Sequence, residues 1–167
     1  MATEFGISLK EEFIGKIPQA RGMVFVMQAY INADHAGESI TRRYRTGYLV
    51  YLNFAPVYWM SKKEISIETS SFGSEFIAMK QCNEYILGFC YKLQMVGIPC
   101  NAPAFVFGDN QSVLANTTIP DSNLKKKSQI IAYHFIRKGY ARDECQTAYV
   151  NTHLNPSNLF TKTLTSG

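Results

Sequence analysis

At 167 residues, with 46% hydrophobic and 13% aromatic side chains, the chain has enough apolar material for a single domain with a real core. Lys and Arg outnumber Asp and Glu by 17 to 13, a formal +4 that suits a polyanionic partner without requiring one. Four cysteines, at 82, 90, 100 and 145, match neither a Cys-x-x-Cys zinc half-site nor the dense framework of a small secreted protein, which leaves reduced, buried thiols as the expectation.

Residues 1–22 mix charge, Gly and Pro18 without a sustained period and read as an arm or linker, with the domain running from Met23 to Gly167. The start lacks the basic and apolar regions of a signal peptide, and no stretch is long and apolar enough to span a bilayer, so a soluble intracellular protein is expected. Met23 to Met27, continuing to Tyr30-Ile31, is β-prone and shows no alternation, which predicts a central strand covered on both faces. Thr46 to Leu52 and Val57 to Met60 are two further strands, joined through the hairpin connection Asn53-Phe54-Ala55-Pro56. Trp59, in the second of these, is expected in the core.

After Ser70-Ser71 the period becomes helical. Phe76, Met79, Cys82 or Asn83, Ile86, Phe89, Cys90 and Leu93 recur until Gly97-Ile98-Pro99 stops the helix, and Glu75 falls in its first turn. Ala104 to Phe107 predicts a buried strand ending at Gly108-Asp109, followed by a short helix over 110–116. A helix from Leu124 to about Arg142 carries Ile130, Ile131, Tyr133, His134, Ile136 and Tyr140, with Lys125, Lys126 and Lys127 in its first turn, where they oppose the helix dipole. A strand over 146–151 and a closing helix capped by Asn155, with Pro156 at its first position, complete the order β-β-β-α-β-α-α-β-α. This is an α/β fold on a five-stranded mixed sheet whose first three strands are antiparallel.

Phosphodiester hydrolysis by two metal ions needs carboxylates converging from several elements, because Mg²⁺ prefers oxygen ligands and the two ions lie ~3.5–4 Å apart. Asp34 at the end of the first strand, Glu75 and Asp109 are candidates of this kind. Singly, each has an ordinary structural use: Asp34 in a turn, Glu75 at a helix N-terminus, Asp109 capping the next helix. Their neighbouring words change the reading. Asn32-Ala33-Asp34-His35-Ala36-Gly37 resembles Asp-Ala-Asp-x-Ala-Gly of the ribonuclease H domain of copia-type LTR retrotransposon polyproteins. In order follow Arg42-Arg43 with Thr46-Gly47-Tyr48, then Trp59-Met60-Ser61-Lys62-Lys63, Ser70-Ser71-Phe72-Gly73-Ser74-Glu75-Phe76 and Asp109-Asn110-Gln111-Ser112-Val113. Tyr133-His134-Phe135-Ile136-Arg137 and Asn155-Pro156-Ser157-Asn158-Leu159-Phe160-Thr161-Lys162 complete the run, the last resembling the family's closing Ala-Asp-x-x-Thr-Lys.

The resemblance implies the ribonuclease-H-like fold, Mg²⁺ or Mn²⁺ as cofactor, and cleavage of RNA in RNA–DNA hybrids. It also implies the reverse transcriptase portion of the same polyprotein as partner and a cytoplasmic particle as location. It places the family's first catalytic Asp at Asn32 and its last acidic residue at Asn158, whereas Glu75 and Asp109 match. Two Asp-to-Asn differences remove two negative charges from a site meant for two divalent cations, so metal affinity and rate are both expected to fall. Decay of an unselected copy and deliberate substitution to arrest cleavage would each leave these asparagines. Asp34, ~6.5–7 Å along the same face of the strand, is a strained substitute ligand.

The candidate catalytic set is therefore Asn32, Asp34, Glu75, Asp109, Asn158 and His153, with Asp34, Glu75 and Asp109 as metal ligands. His153 before the closing helix suits a proton-transfer role, although a lone loop histidine is more often incidental. Arg42, Arg43, Lys62, Lys63, Gln111, Ser112 and Lys125 to Lys127 are the candidates for gripping phosphates and 2′-hydroxyls, with Arg137 next. A module that binds nucleic acid or a protein partner without cutting is the alternative reading.

Overall fold

The computed structural model describes residues 25–35, 43–65, 68, 70–100, 102–119 and 129–162. Strands β1 (Met27–Asp34), β2 (Arg45–Leu52), β3 (Ala55–Lys63), β4 (Ala104–Gly108) and β5 (Cys145–Tyr149) form one sheet in the order β3-β2-β1-β4-β5. The first three strands are antiparallel neighbours, while β4 and β5 run parallel to β1. Helices α1 (Ser71–Met95), α2 (Gln111–Thr118) and α3 (Ile130–Ala141) complete the set, and the chain closes through two 3-10 turns, Thr152–Leu154 and Pro156–Phe160. The fold class read from the sequence is the one found. The closing element differs: Asn155 and Pro156 do start it, but it is a 3-10 turn, too short to establish an α-helical register.

β1 is central, as expected, but it starts at Met27 and alternates. Met27, Ala29, Ile31 and Ala33 are buried, whereas Gln28 and Tyr30 on the other face are half-buried. The buried side chains meet Phe76, Met79, Cys82 and Ile86 of α1, all completely buried at the predicted helical spacing. Ser70 caps α1 by accepting from the Gly73 N–H. At its other end Gly97, at φ 81°, donates to the Gln94 carbonyl and Ile98 to that of Leu93, the paired bonds of a Schellman stop.

The connection from β2 to β3 is shorter than expected, a two-residue turn with Asn53 at φ 54°. β3 is an edge strand. Its Tyr58 faces α1 and stacks on Tyr85 at 3.9 Å, which turns Trp59 to the opposite face, where it is 62% exposed rather than in the core. α3 buries Ala132, Tyr133, Ile136 and Gly139, so the expected core positions Ile130, Ile131 and Tyr140 are exposed. The triple lysine lies outside the described residues. All four cysteines are free; Cys82 and Cys145 are buried, Cys90 and Cys100 half-buried.

Candidate functional site

The closing segment is fastened across the end of the sheet by side-chain amides. The Asn155 side chain accepts from the Ser157 N–H and hydroxyl, and its Nδ2 donates to the Ile31 carbonyl of β1 at 2.8 Å. One residue further along β1, Asn32 Nδ2 donates to Asn158 Oδ1 and to Thr161 Oγ1, both at 2.7 Å. Asn158 Nδ2 in turn donates to the Thr152 carbonyl. From β3, Ser61 Oγ donates to the Phe160 carbonyl at 2.6 Å and accepts from Arg45.

Between these anchors lies Gly47, the β2 partner of Asn32. A Cβ there would sit 2.8 Å from both Phe160 Cβ and Thr161 Cγ2, so only glycine lets the closing segment reach the sheet.

The second part of the site is a carboxylate pair. Parallel register sets Tyr30 of β1 level with Phe107 of β4, and Asp109 directly follows the end of β4 at Gly108. α1 supplies Glu75 against Asp109, and the two negative charges repel. Burial, reinforced by that repulsion, pushes the Glu75 carboxyl up to about 7, and only partly is this offset by Asn110 Nδ2, which donates to Glu75 Oε1 at 3.3 Å. Near neutral pH Glu75 is therefore a carboxyl that readily holds or releases a proton, beside a second carboxylate.

Because α1 begins at Ser71, Glu75 is its fifth residue and not in the first turn as expected, which removes N-terminal capping as its purpose. Asp109 is likewise not a cap. That task belongs to Asn110, whose Oδ1 accepts from the Ser112 and Val113 N–H groups. Asn110 is the residue that sequence reasoning passed over: it starts α2 and also steadies Glu75. Its signal was an Asn immediately before a helix.

Asp34 lies at the end of β1, opposite Arg45, which is itself opposite Lys63. His153 is exposed in the first closing turn, its N–H bonded to Asn151. Arg43, Lys63, Gln111 and Ser112 are exposed, and Lys62 forms a 3.5 Å ion pair with Glu64. Arg137 lies over the Tyr133 ring and donates to its hydroxyl. Arg42 and Lys125 to Lys127 lie outside the described residues. Among the described residues, no three His, Cys, Asp or Glu side chains gather closely enough to hold a metal ion, and no helix is long and apolar enough to cross a membrane.

No protein-family model matches the chain. In sequence it is 28% identical, over 144 residues each, to the retrovirus-related Pol polyproteins from transposons RE2 and RE1 of Arabidopsis thaliana; each match covers 86% of this chain. The chain spans about a tenth of the length of these curated relatives, 10% in both cases. In structure it is similar to LC11-RNase H1 in complex with an RNA/DNA hybrid, with a TM-score of 0.64 at 11% identity, covering 81% of this chain and 93% of that one.

Proposed function

We propose that this chain, ribonuclease-H-like in fold and related in sequence to the Pol polyproteins of copia-type retrotransposons, engages RNA–DNA hybrids with a hydrolytic site that is impaired or silent. The observations that carry this reading are the electrostatic pairing of Glu75 with Asp109 and the direct Asn32–Asn158 amide bond. Two carboxylates, one of them exchanging its proton near neutral pH, suit a divalent cation such as Mg²⁺ or Mn²⁺. They do not suit two. Asn32 directs both of its amide protons at neighbouring oxygens, and an amide lacks the charge of the carboxylate it stands in for. The residues present thus do not fit a two-ion centre.

What the side chains support is grip. Exposed Arg43, Lys62 and Lys63 lie on the β2–β3 side of the closing segment, and exposed Gln111 and Ser112 follow Asp109. Such a frame meets phosphates and 2′-hydroxyls of an A-form-like duplex by charge and hydrogen bonding, independently of base sequence. The reading extends to 23–167 as the functional unit, the reverse transcriptase portion of a common polyprotein as neighbour, and a cytoplasmic particle as setting. Binding without cutting is its limiting form, and the amide pair favours it.

The test is cleavage and binding of a labelled RNA–DNA hybrid in Mg²⁺ and in Mn²⁺, comparing the parent chain with Asn32→Asp, Asn158→Asp and the double change. Salt-sensitive hybrid binding by the parent, with cutting that appears or accelerates in the double variant, is the expected result. A parent that cuts as fast as the double variant refutes the impairment, and a parent that fails to bind the hybrid at low salt refutes the function.

A further inference from the structure

We infer that Asn32 is a directional clasp: its amide closes the end of the sheet by protein hydrogen bonds alone, and the position requires a proton donor. The direction comes from its partners. Asn158 gives its own Nδ2 to the Thr152 carbonyl, so its Oδ1 is the end presented to Asn32. Thr161 directs its hydroxyl proton at the Asn158 carbonyl, 3.2 Å away, leaving a lone pair for Asn32. Two acceptors thus face one residue, and an amide NH₂ has two protons to satisfy them.

The location makes the direction matter. Asn32 is 8% exposed and Thr161 2%, so an unmet or opposed polar contact here is not repaired by water. A carboxylate at 32 would bring negative charge against Asn158 Oδ1 with no proton between them, and Thr161 could answer it only by turning its hydroxyl away from the Asn158 carbonyl. To relieve that, Asn158 would have to turn its amide over and set its own oxygen against the Thr152 carbonyl. An acid at 158 behaves differently. It would still accept from Asn32, more strongly for being charged, and would set its second oxygen against the Thr152 carbonyl only at an exposed bond, where water screens the opposition. Two substitutions identical in chemistry are therefore unequal in consequence, and an acid at 32 is at ease only beside a cation. That last clause rests on the metal-seeking reading of the Glu75–Asp109 pair; the clasp does not.

The experiment is thermal unfolding of the full chain in EDTA and in Mg²⁺ for the parent, Asn32→Asp, Asn32→Ala and Asn158→Asp, with amide hydrogen exchange read at Thr161 and Lys162, whose N–H groups bond to the Asn158 carbonyl. In EDTA, Asn32→Asp is expected to lower Tm by about 4–8 °C, Asn32→Ala by about 2–6 °C and Asn158→Asp by less than about 3 °C. Exchange at both amides should quicken in the two position-32 variants and hold in Asn158→Asp. Should Asn32→Asp not fold in EDTA, Asn32→Ala decides the matter by the same exchange readout. Equal Tm losses for the two acidic changes, or an Asn32→Asp protein as stable as the parent in EDTA, overturn the clasp. Mg²⁺ is expected to raise the Tm of Asn32→Asp and not that of Asn32→Ala; an Asn32→Asp protein indifferent to Mg²⁺ refutes the metal-seeking reading and leaves the clasp standing.

Discussion

Replacing Glu75 by Gln should stabilise the domain at alkaline pH and leave it nearly unchanged in acid. The parent carboxyl has its pKa raised from 4.5 to about 7, first by burial and then by Asp109. A group whose folded pKa lies above its unfolded value gives its full stability below the unfolded value, about 4.5 here, and loses it as pH climbs through the folded value. The difference is about 2.5 units at ~1.4 kcal/mol each, so ionised Glu75 opposes folding by about 3 kcal/mol, an upper figure because the side chain keeps some solvent contact. Gln cannot ionise, and its Oε1 can still accept from Asn110. Urea unfolding in EDTA at pH 4, 5.5, 7 and 8 measures the gap between variant and parent directly, since all other titrating groups cancel to first order. That gap should widen by about 2–3 kcal/mol between pH 4 and 8, roughly 4–12 °C in Tm for a domain of this size. Parallel pH profiles would refute the assignment of a half-buried, mutually repelling carboxylate pair.

Gly47→Ala should destabilise by about 1–3 kcal/mol in chemical unfolding, since the added methyl meets Phe160 and Thr161 at 2.8 Å and part of that contact is backbone-tethered. Trp59→Ser should change stability by less than about 1 kcal/mol, and in the parent chain the single tryptophan should emit as a largely solvated indole, because its face of the edge strand is exposed. Neutralising Arg43 and Lys63 together should weaken hybrid binding and reduce the slope of log affinity against log salt by about one for each charge removed; an unchanged slope would place the duplex elsewhere.

Much of this architecture is legible in the sequence because it rests on short-range rules. α1 shows its apolar positions at helical spacing and its Gly97 stop, and both are found, although Phe89 and Cys90 are only half-buried. The misplacement of Trp59 has an equally local cause. Val57-Tyr58-Trp59-Met60 is apolar throughout, so the strand has no phase in sequence, and it is set by Tyr58 stacking on Tyr85 of a distant helix. The closing turn begins at Asn155-Pro156 as its signals say, yet what holds it is not helical periodicity but bonds to Ile31, Asn32 and Ser61. For the candidate site, Glu75 and Asp109 are legible from their places at element ends as well as from the resemblance, and the structure adds the repulsion between the two. The direct Asn32–Asn158 bond was not foreseen, since amide orientation depends on the carbonyl of Thr152.

The bonds from Asn32 to Asn158 and Thr161 join residues 126 and 129 positions apart. Contacts of such separation contribute little to a folding nucleus, because the loop entropy they close is large and comes before any reward. The antiparallel β1–β2–β3 meander, turned at Asn53-Phe54, and α1 behind it are local and suited to forming first. The closing segment then docks on a sheet already built. During synthesis on the ribosome the last residues of the site emerge after nearly everything they must meet, so the site is completed late. A nascent chain stopped before residue 158 would leave the Asn32 amide without the two oxygens it donates to.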